Sequence, residues 1–289
     1  MQQMFEFGDT KKQEQIMYKT WAEFRNALAT RKFSYCDIDD ALNETYLHVF
    51  NDMFEVNGQK KRFTKSIKEL REMGIHLARG ARLKDDKPVD YDRFIPKSEF
   101  ISEDNRFSPK GVEWLYLAVS DNVDTAEMCT VKECKAESGS YFGICQFGFD
   151  SRYDDLKLVD LTIANDKGYE DINGGLELFG QLLRQQAVDM SLKIGRPVKL
   201  NEEKIKEVIK AWATNLYAKM MSSCIFEPVA TTDKELMYAP FQCLAYYFLK
   251  CGFSGIIYES TVFPEAKDIV LFDKKYAKPI GDIKYQVVS

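Results

Sequence analysis

Asn105-Arg106-Phe107-Ser108-Pro109-Lys110-Gly111, followed at once by Glu113-Trp114-Leu115-Tyr116-Leu117-Ala118, is the stretch on which the fold of this chain turns. A polar turn containing proline, glycine and one arginine feeds a short aromatic and aliphatic run, the pattern of a loop entering a buried strand. An arginine at the lip of such a strand can grip a phosphate through charge-assisted bonds, although most loop arginines taken alone are solvated surface residues.

Upstream, Ile75 to Arg82 is short and β-compatible, and a polar, proline-containing loop joins it to Asn105. Before Ile75 the period is helical. Met17, Trp21, Phe24 and Leu28 mark one helix; Ile38, Leu42, Tyr46, Val49 and Met53 mark a second, capped by Asp37 and ended by Asn57-Gly58. Phe63, Ile67 and Leu70 mark a third that stops at Gly74. Its Lys60, Lys61, Arg62, Lys65 and Lys68 read as a solvated face.

Downstream, Val123 to Lys135 is helical, and Tyr141 to Phe149 and Leu156 to Leu161 are strands. Two long helices follow, Leu176 to Lys193 and Glu202 to Met221. The second presents Ile205, Val208, Ile209, Trp212, Leu216 and Met220 as one apolar stripe behind an Asn201 cap. The last third holds a helix from Pro240 to Lys250 and strands at Ser254 to Glu259 and Asp268 to Phe272. The expected class is therefore α+β: a helical region over residues 1–74, then a small mixed-sheet core with flanking helices over 75–289, enlarged by a helical insertion at about 175–222.

A chain of 289 residues, 45% hydrophobic and 29% charged, can bury a sizeable core. Its net charge of −5 argues against coating nucleic acid. No run approaches the roughly 18 apolar residues of a membrane span, and Met1 to Lys12 lacks the apolar centre of a signal peptide, so the cytoplasm is the expected compartment. The seven cysteines, with no Cys-x-x-Cys pair, read as reduced and mostly buried. With His48 and His76 as the only histidines, a zinc site or a histidine-based triad has little to be made from, and chemistry falls to Arg, Glu, Tyr or Ser.

Two segments together resemble the RES domain, the toxin half of RES–Xre toxin–antitoxin systems. The first is Arg106-Phe107-Ser108-Pro109-Lys110-Gly111 leading into Leu115-Tyr116-Leu117-Ala118. The second is Tyr238-Ala239-Pro240-Phe241-Gln242 opening a helix, then Gly252-Phe253-Ser254-Gly255-Ile256-Ile257-Tyr258-Glu259-Ser260, ending in Asp268-Ile269-Val270-Leu271-Phe272. They bracket roughly Ile75 to Phe272, and the additional helices resemble those of extended family members.

The resemblance implies an ADP-ribosyltransferase-like fold and an enzyme that degrades NAD by cleaving the nicotinamide–ribose bond, with water or inorganic phosphate as acceptor. NAD would be substrate, with no further cofactor and no metal. An antitoxin protein would be the partner, and neither membrane nor nucleic acid is expected as one. Transfer of ADP-ribose to a macromolecule, or an inactive RES-like binding module, are the alternatives. Arg106, with Arg79 or Arg82, would hold the pyrophosphate; on a regular strand Arg79 and Arg82 point to opposite faces, so one of them should reach the site. Tyr116 would line the nicotinamide and Ser260 would bond its amide or the ribose. Glu127 is the preferred acid, with Glu133 or no acid as alternatives, since a shifted alignment places Cys129 at the acid position.

Overall fold

The computed structural model describes residues 10–56, 58–198, 201–225 and 234–288. Asn57, read as part of a helix end, and most of the amino-terminal segment judged for a signal peptide lie outside the described residues. The elements in chain order are α1 (Thr10–Ala29), α2 (Ile38–Ala41), α3 (Thr45–Asn51), β1 (Thr64–Ser66), α4 (Ile67–Glu72), β2 (His76–Arg82), β3 (Leu115–Ser120), α5 (Val123–Glu133), β4 (Tyr141–Phe149), β5 (Lys157–Asp160), α6 (Tyr169–Ile194), α7 (Glu202–Ile225), α8 (Lys234–Lys250), β6 (Gly255–Glu259), β7 (Lys267–Leu271) and β8 (Ala277–Val287). The class is α+β. No helix among the described residues is long and apolar enough to cross a membrane.

The chain divides into two compact units, and the division is discontinuous: of the described residues, 10–24, 42–63, 162–198 and 201–225 form one, and 25–41, 64–161 and 234–288 the other. A single border at 74/75 is the sequence expectation. Instead the segment read as a helical insertion shares a unit with amino-terminal helices, and Thr64 already belongs to the sheet. The helical unit closes on aromatic side chains: Trp21 lies 4.9 Å from Tyr46, Phe50 lies 5.1 Å from Phe54, and the buried Tyr217 donates its hydroxyl to the Tyr46 carbonyl at 3.0 Å. Trp212, Leu216 and Met220 of the α7 stripe are buried, and the Asn201 side chain accepts from the Lys204 amide as the expected cap.

The sheet unit holds eight strands in the order β1-β5-β6-β7-β3-β2-β4-β8, antiparallel throughout except for the parallel β5–β6 pair. Alternation divides its faces. Leu77, Leu115, Leu117, Val119, Ile257, Ile269 and Leu271 build the main core with Ile67 and Leu70 of α4. Ala78, Phe142 and Ile144 point the other way, toward Ala126 of α5. Gly80 permits that helix its position, because a Cβ there would stand 2.4 Å from the Phe142 ring and 2.8 Å from Thr130 Oγ1. Neither β1 nor β8 follows from the sequence pattern. β1 is three residues long, and β8 contains Pro279 and Gly281 and is mostly exposed. Such an edge strand lacks a clean apolar alternation.

Candidate active site

The site begins where two neighbouring strands part. β2 and β3 are in register from His76 opposite Ser120 to Ala78 opposite Ala118 and no further, whereas β2 keeps pairing with β4 as far as Arg82. Beyond Ala78 a cavity of about 230 Å³ is lined by Arg79 and Gly80 from β2 and by Tyr116 and Leu117 from β3. Thr130, Glu133 and Cys134 of the α5 end, Tyr258 of β6, Asp268 of β7 and Asn105 complete it.

Arg79 is a half-buried residue, and one guanidinium nitrogen donates to the Tyr116 carbonyl at 3.4 Å. Burial lowers its pKa to about 10, and Arg93 pushes in the same direction; the side chain still carries its charge at neutral pH. Tyr116 shares a 2.9 Å hydrogen bond with Ser108 of the Asn105–Gly111 turn, and burial raises its pKa. Arg82 is directed elsewhere: its guanidinium donates to the Cys134 carbonyl at 2.9 and 2.6 Å and to that of Lys135. These carbonyls end α5, so Arg82 satisfies a helix terminus, as a cation suits one. Of the two arginines, Arg79 lines the cavity and Arg82 does not.

The two glutamates of α5 part in the same way. Glu127 does not line the cavity; its Oε1 accepts from Lys284 Nζ at 2.6 Å and from Gln146 Nε2 at 2.7 Å, and its side chain is 12% exposed. Glu133 lines the cavity, and its Oε1 accepts from Ser260 Oγ at 2.6 Å. Ser260, 4% exposed, also accepts from the Phe263 amide at 3.2 Å, which holds its hydroxyl proton toward the glutamate. Ser260 is therefore joined to the cavity through Glu133 rather than lining it.

Arg106 does not line the cavity, although its neighbour Asn105 does. The Arg106 guanidinium sits 5.3 Å from the centroid of the Phe241 ring and donates to Thr261 Oγ1 at 3.3 Å. Phe107 packs edge-on to Tyr258 at 4.9 Å, and Gln242 donates to the Asn105 carbonyl at 3.4 Å. The Asn105–Gly111 turn is thus brought against α8 and β6. The same turn also borders a larger cleft of about 1130 Å³, lined among others by Tyr35, Asp104, Lys110, Gln242 and Tyr246.

Asp268 is the residue that sequence reasoning passes over as the start of a strand. It is 5% exposed and lies between Ala118 and Tyr258 in the sheet register. Its pKa is raised well above the carboxylate range, first by burial and then by Glu133. Its only local signal is an acid opening the otherwise apolar run Ile269-Val270-Leu271-Phe272. Cys129, Glu133 and Asp268 bring one ligand-type atom each within 4.8 Å of one another. Cys129 donates its thiol to Asp268 Oδ1 at 3.9 Å, and burial pushes that thiol up to about 12. The group is satisfied by hydrogen bonds from Ser260 and the thiol. All seven cysteines are free, with Cys129, Cys145, Cys224 and Cys243 buried.

Comparison of the chain with family models, with curated proteins and with solved structures finds no match.

Proposed function

We propose that this protein is a NAD-degrading enzyme of the RES type that cleaves the nicotinamide–ribose bond, acting as the toxin of a toxin–antitoxin or defence system. One observation carries the reading: at the gap between β2 and β3, a charged Arg79, Tyr116 and a Glu133 carboxylate held by Ser260 converge on a single cavity. That combination suits the chemistry. Nicotinamide leaves NAD as a neutral base, so no general acid is required, and the enzyme chiefly has to stabilise oxocarbenium character on the ribose.

In this reading Glu133 supplies the negative charge, since Glu127 is already paired with Lys284. Ser260 orients the Glu133 carboxylate, Tyr116 lines the nicotinamide, and Arg79 approaches the pyrophosphate with Arg106 behind it. The acceptor is water or inorganic phosphate, and a protein antitoxin restrains the activity.

The test is incubation of the purified protein with NAD, with and without phosphate, following free nicotinamide by chromatography. Release is expected. Strict dependence on phosphate identifies phosphorolysis, and label moving from NAD onto protein or nucleic acid identifies transfer instead. An unchanged NAD pool in every condition overturns the proposal.

A further inference from the structure

Asp268 is buried in the sheet, and the functional reading above gives it no task. Its neighbours come from every element around it. From α5 these are Cys129 and Glu133; from β6 and the residues after it, Tyr258 and Ser260; Arg79 of β2 and Tyr116 of β3 line the same cavity. Two carboxyl groups this close, one of them withdrawn from water, cannot both be charged cheaply, because like charges at short range repel strongly where water is excluded.

Arg79, the charged group that lines the same cavity, donates to the Tyr116 carbonyl rather than to either carboxyl group. Ser260 donates to Glu133, so the Glu133 carboxylate is supported as the charged member. That leaves Asp268 as the member that keeps a proton.

We infer that Asp268 and Glu133 act as a proton-sharing pair, in which neutral Asp268 donates its O–H to the Glu133 carboxylate and holds it beside Ser260. Asp268 is thus a positioning residue, and the cavity presents one negative charge rather than two. Its service to NAD cleavage rests on the functional reading above; the pair itself does not.

The neighbours make the proton's effect legible between pH 5.5 and 8.5. Cys129 is pushed up to about 12, Arg79 titrates at about 10, and burial raises Tyr116 and Tyr258, so none of these changes charge in that window. The sign follows from linkage. An acid whose folded-state pKa lies above its unfolded value binds more protons when folded. Its contribution is fully favourable below the ordinary carboxyl pKa and is progressively lost as pH rises toward the folded value. One such proton changes the unfolding equilibrium by up to about tenfold per pH unit.

Asp268→Asn replaces the O–H donor by an amide N–H and removes the proton from the balance. Thermal unfolding of wild type, Asp268→Asn and Asp268→Ala across this pH range, with metal analysis of the wild type purified without chelator, provides the test. The asparagine variant is expected to melt above wild type by a margin that widens as pH rises, and the alanine variant below the asparagine one throughout. If NAD is consumed, the alkaline limb of wild-type activity should shift in Asp268→Asn. A margin independent of pH, an asparagine variant less stable than wild type at pH 8, or a stoichiometric divalent metal bound to wild type overturns the inference. The melting curves need no NAD, so they stand or fall separately from the proposed activity.

Discussion

Glu127 and Glu133 lie on one helix, six residues apart, and the middle and the end of α5 make opposite uses of the same side chain. Six steps along an α-helix turn the side chain by about 240°, which takes it from one face to another. At Glu127 the charge meets Lys284 and Gln146 from the β8 and β4 side of the sheet and is neutralised there. At Glu133 it meets a serine hydroxyl, a thiol nearby and a second carboxyl, with a cavity in front. A carboxylate closed by an ammonium has little left to offer a ligand. One held by neutral donors keeps its charge available to a cationic group of a ligand. The arginines of β2 repeat the lesson, since Arg82 ends a helix while Arg79 borders the cavity.

The sharpest way to break this contrast is to neutralise each acid in turn. Glu133→Gln should lower NAD cleavage about 100-fold or more, the size of effect seen when a preorganised electrostatic group is removed. Glu127→Gln should leave turnover within about twofold, its loss being confined to an ion pair at the sheet. Initial rates of nicotinamide release compare the two, and equal losses would dissolve the distinction.

A next step is to move the helix itself. In Gly80→Ala the added methyl would collide with Phe142 and Thr130 Oγ1, so the variant should lose about 1–3 kcal/mol of stability by overpacking, measured by denaturant unfolding. A shift of α5 away from β2 would also draw Glu133 from Ser260.

Arg79→Ala and Arg82→Ala should divide more gently along the same line. The first is expected to raise the KM for NAD about tenfold, the loss of one charge-assisted contact, with little change in unfolding. The second should cost about 1 kcal/mol or less of stability through the exposed end of α5 and leave KM in place. Steady-state kinetics and melting curves on both variants read the difference.

Most of the described strands and helices are legible in order from apolar periodicity, because each buries a continuous face within its own unit: the Tyr116 strand, the Gly255–Glu259 strand and the long α7 stripe are examples. β1 and β8 are not. Three polar residues and an exposed, proline-containing edge strand owe their pairing to the strands beside them rather than to any pattern of their own. At the site, Tyr116 is readable from its position just after the turn and Arg79 only as one of two candidates with Arg82, whereas Asp268 looks like any acid at the start of a strand.

The sequence alone was enough to establish an α+β chain, the turn from Asn105 to Gly111, and a helix followed by a buried strand between Pro240 and Glu259. Those features are local, written in side-chain period and turn chemistry. Which glutamate and which arginine face the cavity is a matter of helix phase, strand pairing and competing partners. Lys284 and Gln146 claim Glu127, the carbonyls ending α5 claim Arg82, and β2 and β3 separate after Ala78. Each of those partners comes from a remote part of the chain, so its effect exists only once the sheet has formed.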